Sequence, residues 1–123
     1  MFVPELEWED PRFQRLLELS VRHIFYVNDF FSFEKEMNAN NNNLRGIFNA
    51  VAVISILDGI DIGKAMEKLA ELTRHLERDI LLLEDQIKSD KMFSKVTHDF
   101  IEKLNYSLGG NYQAHVLAYD RYL

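Results

Sequence analysis

Leu69, Leu76 and Leu83 recur every seven residues, and Thr73, Ile80 and Ile87 recur between them at the same interval. An apolar spacing of three and four, sustained over so many turns, marks an α-helix that buries one stripe against other helices. A strand would alternate with a period of two. Asp61 stands where an N-cap belongs, so the spacing predicts a helix over about 62–88. The other side holds Glu67, Lys68, Glu71, Arg74, Arg78, Glu84 and Lys88 and reads as a solvated face. Glu84 and Lys88 form an i,i+4 pair in the favourable order.

Such a stripe needs partners, and the chain offers them. Asp10-Pro11 is a helix start, with Asp as N-cap and Pro at the first helical position. Phe13, Leu17, Ser20, Ile24, Val27 and Phe31 then follow at three and four spacing, and the helix is expected to end near Met37. Residues 1–10 read as a short acidic lead-in. The asparagine-rich run 38–43 breaks the pattern, because Asn side chains compete for their own backbone. It reads as a solvated connector, or as a loop that orders over a nearby site. Residues 44–58 are apolar all round and close at Asp58-Gly59. AVAVISIL suits a buried strand by composition, but no partner strand exists elsewhere, so a buried helix is expected, with Asn49 and Ser55 as satisfied core polar residues. A last amphipathic helix over 90–107 runs through Met92, Phe93, Val96, Phe100, Ile101 and Leu104, and Gly109-Gly110 is expected to end it.

The sum is a single all-α domain over residues 1–123, with about four to five helices. At 47% hydrophobic residues it can bury a core. The absence of cysteine excludes a disulfide scaffold, a thiolate zinc site and a cysteine nucleophile, and accords with a cytoplasmic location. A net charge of −6 argues against a nucleic-acid surface, which needs a basic patch. No apolar run approaches the roughly 18 residues of a membrane span, and the acidic start MFVPELEWED lacks the basic and apolar regions of a signal peptide. His23, His75, His98 and His115 show no ligand spacing.

One stretch breaks the logic of a plain bundle. VNDFFSFEKE places Asn28, Ser32 and Glu36 at i, i+4 and i+8 among phenylalanines expected to be buried. On a helix these three span about 80° of one face and about 12 Å of axis. An amide oxygen, a hydroxyl and a carboxylate are hard ligands of the kind Mg²⁺ takes. One negative charge holds Mg²⁺ poorly, so a diphosphate would have to supply the remaining charge and oxygens. The same residues also suit a polar stripe satisfied inside a bundle, and spacing alone leaves both readings open. Val21 and Phe25 extend this face and either line a pocket or belong to the core.

VNDFFSFEKE resembles the second metal-binding motif of class I terpene synthases, Asn/Asp-Asp-x-x-Ser/Thr-x-x-x-Glu. The resemblance makes Asn28, Ser32 and Glu36 the magnesium ligands and Lys35 a diphosphate contact. The ending Arg121-Tyr122-Leu123 is similar to the family's terminal Arg-Tyr pair, which implies that Arg121 binds diphosphate and Tyr122 packs beside it. Asp29 is left either to orient a neighbour or to pair with Arg121. The family's tryptophan before that pair has no counterpart, and His115 stands near its place. The aspartate-rich first metal motif and the upstream diphosphate-sensing arginine are missing, and Glu84-Asp85 lacks the third carboxylate needed to replace them.

The implied fold is thus a partial class I terpenoid synthase bundle, the C-terminal half of the catalytic domain. The implied activity is Mg²⁺-dependent ionisation and cyclisation of an isoprenoid diphosphate, by default farnesyl diphosphate, weak or absent in this stretch alone. The alternative is a non-catalytic helical module for oligomerisation or interaction. A half-bundle exposes an apolar face, so the chain is expected to form a homodimer or to pair with an N-terminal half.

Overall fold

The computed structural model describes residues 2–113, with five helices and, among the described residues, no strand: α1 (Glu5–Trp8), α2 (Pro11–Ala39), α3 (Ala50–Asp58), α4 (Ile62–Ser89) and α5 (Lys95–Gln113). None of them is long and apolar enough to cross a membrane. Arg121, Tyr122 and His115 lie outside the described residues.

Helix α2 begins as its sequence directs. The Asp10 side chain accepts a hydrogen bond from the Arg12 backbone N–H at 2.9 Å, with Pro11 at the first helical position. Arg12 also reaches Asp90 at the far end of α4, at 2.8 Å, and its guanidinium lies 5.1 Å from the centre of the Phe93 ring. The start of α2 is therefore pinned to the end of α4, and the two helices run antiparallel. Along them the core divides in two. Phe13, Leu16 and Leu19 pack with Leu76, Ile80, Ile87, Phe93, Ile101 and Leu108 at one end. Phe30 and Phe33 pack with Val51, Ala52, Ala65, Met66, Leu69 and Ala70 at the other.

Several expectations shift. The buried stripe of α2 runs through Phe13, Leu16, Leu19, Ser20, His23, Val27, Phe30 and Phe33, leaving Leu17, Ile24 and Phe31 as half-buried flanks. A neighbouring set at the same period had fitted equally well, because the apolar surface of α2 is wider than one stripe. The lead-in contains a helical turn whose Glu7 is buried. Its carboxylate accepts from the Ser94 N–H and the Thr97 hydroxyl, and so caps the start of α5 from a distant part of the chain. Burial alone would raise the pKa of Glu7; these hydrogen bonds outweigh it and hold the pKa below its ordinary value.

Residues 44–58 are not one buried helix. Only Ala50–Asp58 is helical, and Ile56 and Leu57 are exposed. Asn41 and Asn42 adopt left-handed φ of 55° and 59°, which Asn tolerates better than most residues. Helix α5 begins at Lys95 rather than near residue 90 and continues through Gly109 and Gly110 to Gln113. Glycine costs a helix only about 1 kcal/mol, so it does not compel a stop.

Glu84 is a larger correction. It does not belong to the solvated face, being 2% exposed, and its carboxylate accepts from the Asn105 side chain of α5 at 2.9 Å. It follows Ile80 by four and precedes Ile87 by three, which sets it inside the buried stripe at the true period of 3.6. Burial pushes its pKa up, against the hydrogen bond from Asn105 and the charge of Lys88. A raised folded-state pKa contributes stability below the unfolded value and loses it as pH rises through the folded value. Glu84→Gln keeps an acceptor for Asn105 and removes the charge. It is expected to exceed wild type in stability at pH 8 by about 1 kcal/mol and to lose that lead near pH 4, read as melting temperature against pH.

Candidate metal centre

The motif lies in the C-terminal third of α2, above the core end where α3 and α4 meet it. Phe30 and Phe33 are buried there, which fixes the rotation of the helix and turns Asn28, Ser32 and Glu36 away from the core. Asn28 is exposed, whereas Ser32 and Glu36 are half-buried. The Ser32 hydroxyl donates to Glu36 Oε1 at 3.3 Å, so two of the three oxygen groups meet directly. Asn28 lies one turn before Ser32 on the same side. Lys35 is exposed and, seven residues after Asn28, rises from nearly the same direction.

Asp29 precedes Glu36 by seven residues, so it lies only about 20° from it around α2, on the side that faces the start of α3. Its Oδ2 accepts from the Ala50 N–H at 2.9 Å, at the first residue of α3. This hydrogen bond ties Asp29 to the start of α3; the pairing with Arg121 that was its other expected role falls outside the described residues. Burial, with the nearby Glu36 charge adding to it, raises the pKa of Asp29 against the hydrogen bond from Ala50.

Asn49 is the residue that sequence reasoning did not assign to the site. It is 2% exposed and caps α3, its Oδ1 accepting from the Val51 N–H at 2.9 Å. Its Nδ2 donates to the Asp29 carbonyl at 2.9 Å and to Glu36 Oε2 at 2.6 Å. The available signal was an Asn directly before the apolar run AVAVISIL, an N-cap pattern. Starting that helix at residue 44 hid it.

The donor set suits a hard divalent cation: amide, hydroxyl and carboxylate oxygens, with no sulfur or imidazole. Glu36 is its single carboxylate, and no group of three His, Cys, Asp or Glu gathers elsewhere among the described residues. Such a set binds most readily when a phosphate-bearing ligand completes it. Val21 and Phe25, 51% and 62% exposed, continue this face toward the N-terminus of α2. Val21 edges a shallow groove with Pro11, Gln14, Arg15, Leu17 and Glu18.

The profile of the family described as "Terpene synthase family 2, C-terminal metal binding" matches residues 1–79, a span that contains the whole motif and Asn49. Among curated proteins, the chain is 28% identical over 104 residues to Microbial Terpene synthase-like protein 13 of Selaginella moellendorffii, covering 84% of this chain and 27% of that protein. It is 38% identical over 66 residues to Macrophomene synthase of Macrophomina phaseolina (strain MS6), covering 52% of this chain and 10% of that protein. It is 26% identical over 114 residues to Terpene cyclase aneC of Aspergillus aculeatus, covering 90% of this chain and 25% of that protein. The alignments thus cover about a quarter or less of these relatives' length. No solved structure matches at comparable significance.

Proposed function

We infer from one fact, that this chain belongs to the terpene synthase family through its C-terminal metal-binding region, that Asn28, Ser32 and Glu36 hold Mg²⁺ for the ionisation of an isoprenoid diphosphate. The observation that carries this is the contact of Ser32 Oγ with Glu36 Oε1 at 3.3 Å on the side of α2 turned from the core. When bound, Mg²⁺ acts as a Lewis acid toward phosphate oxygens. Lys35 adds a cationic contact to the diphosphate from the same side of the helix. Arg121 and Tyr122 complete the diphosphate contacts in this reading, with Arg121 as the second cation and Tyr122 packed beside it. Farnesyl diphosphate is the proposed substrate, and a cyclic terpene the product. This single domain supplies one part of the site; a second set of carboxylates and a diphosphate-sensing cation come from elsewhere, which makes turnover by this stretch alone weak or absent.

The test is a thermal-shift titration with Mg²⁺ and inorganic diphosphate, singly and together. A ligand at 100 times its Kd stabilises by about 2.7 kcal/mol. Because the motif carries one carboxylate, stabilisation is expected only when both ions are present. Equal shifts with either ion alone would count against joint filling of this site, and no shift at all would remove the metal reading.

A second reading, a non-catalytic interaction module, draws on one observation. Val21, Phe25, Phe48, Val53, Ile56 and Leu57 are all exposed, Phe48 at 99%. Exposed apolar surface on this scale suits a second copy of the chain or an N-terminal half of the bundle. Light scattering distinguishes a dimer from a monomer, and product formation from farnesyl diphosphate would remove the non-enzymatic reading.

A further inference from the structure

We propose that Asn49 is a positioning residue for the metal centre: it holds Glu36 Oε2 so that Oε1, beside Ser32, is the oxygen offered to the cation. The proposal rests on the metal reading of Asn28, Ser32 and Glu36 and adds a residue outside that set.

The hydrogen bonds fix the orientation of the amide. The Val51 N–H is only a donor, so the Asn49 atom facing it is the oxygen. The Asp29 carbonyl and the Glu36 carboxylate are acceptors, so the atom facing them is the nitrogen. A flipped amide would break all three contacts. The side chain is also buried, so water does not compete for these bonds. Asn49 is thus locked between the α3 N-terminus and the α2 backbone, and the 2.6 Å contact to Glu36 passes that rigidity to the carboxylate. Glutamate has several rotatable bonds, and ordering such a side chain costs free energy that a preset contact has already met. The Asp29 to Ala50 hydrogen bond closes a second link between the same two elements. A ligand on α2 is therefore held by the start of α3, thirteen residues further along the chain.

Asn49→Ser separates the two roles of the residue. Serine caps a helix about as well as asparagine but lacks the Nδ2 donor. The assay is calorimetric titration of Mg²⁺ into protein with inorganic diphosphate, beside the crystal structure of the variant. Residues that orient metal ligands typically contribute about 10- to 100-fold in affinity. Asn49→Ser is expected to fold, to weaken Mg²⁺ binding by that factor, and to release the Glu36 carboxylate from its place. Asp61→Ala is the control, because Asp61 caps α4 through the Lys64 N–H at 2.8 Å and takes no part in the motif. It is expected to lower the melting temperature without changing the affinity. An Asn49→Ser affinity within twofold of wild type would overturn the proposal, as would an equal loss in Asp61→Ala. Should wild type itself bind no Mg²⁺ with diphosphate, the metal reading falls, and the variant structure decides the positioning role alone: an unmoved Glu36 carboxylate overturns it, and a displaced one supports it.

Discussion

Glu36→Ala is expected to abolish the stabilisation that Mg²⁺ and diphosphate give together, a loss on the order of 10 °C in melting temperature at saturating ligand. The size follows from the donor set. Glu36 is the one carboxylate of the motif, so its removal leaves two neutral oxygens, which do not hold a hard dication. The variant also carries a smaller cost without ligand, about 1 kcal/mol, because the buried Asn49 amide loses its acceptor on Glu36. Lys35→Ala supplies the contrast. Lys35 is exposed, so its removal leaves the unliganded melting temperature unchanged and weakens only the response to diphosphate. Full retention of the two-ion shift in Glu36→Ala would show that the cation sits elsewhere.

The largest effect on the fold itself is expected from Phe13→Ala. Phe13 is fully buried, its ring centre 5.5 Å from that of Trp8 and 5.6 Å from that of Phe100. Trp8 and Phe100 are themselves in edge contact at 6.2 Å. One side chain therefore joins α1, the start of α2 and the first turns of α5. Truncation costs about 3–5 kcal/mol through lost burial and the cavity left behind. Set against the 5–15 kcal/mol or so of total stability usual for a domain, that is a large share, and urea denaturation should show a much lower midpoint. Phe25→Ala removes the same side chain from an exposed site and is expected to change stability by less than about 0.5 kcal/mol in the monomer. A loss several times larger for Phe25→Ala would show that this face is covered in solution.

The helical class was legible because it rests on period. Spacings of three and four in α2 and α4, and the caps Asp10 and Asp61, are local patterns that any helix with those residues reproduces. The alignment of Asn28, Ser32 and Glu36 was legible for the same reason, since i, i+4 and i+8 fall together on any helix. The stripe of α4 shows where this stops. Counting in sevens placed Leu83 in the seam and Glu84 outside it, but an α-helix turns every 3.6 residues and drifts against that count. Whether the drift brings a glutamate to water or to the core depends on what α5 sets against it, here Asn105.

By itself, then, the sequence determined an all-α chain, the starts of α2 and α4, and a row of oxygen-bearing side chains on one of them. Tertiary structure alone decided that Glu7 caps α5, that Glu84 is interior, and that Asn49 spans from α3 to the Glu36 carboxylate. Period and capping are properties of neighbours along the chain. These three contacts join residues that meet only once the helices have packed, and no local pattern encodes the distance across a fold.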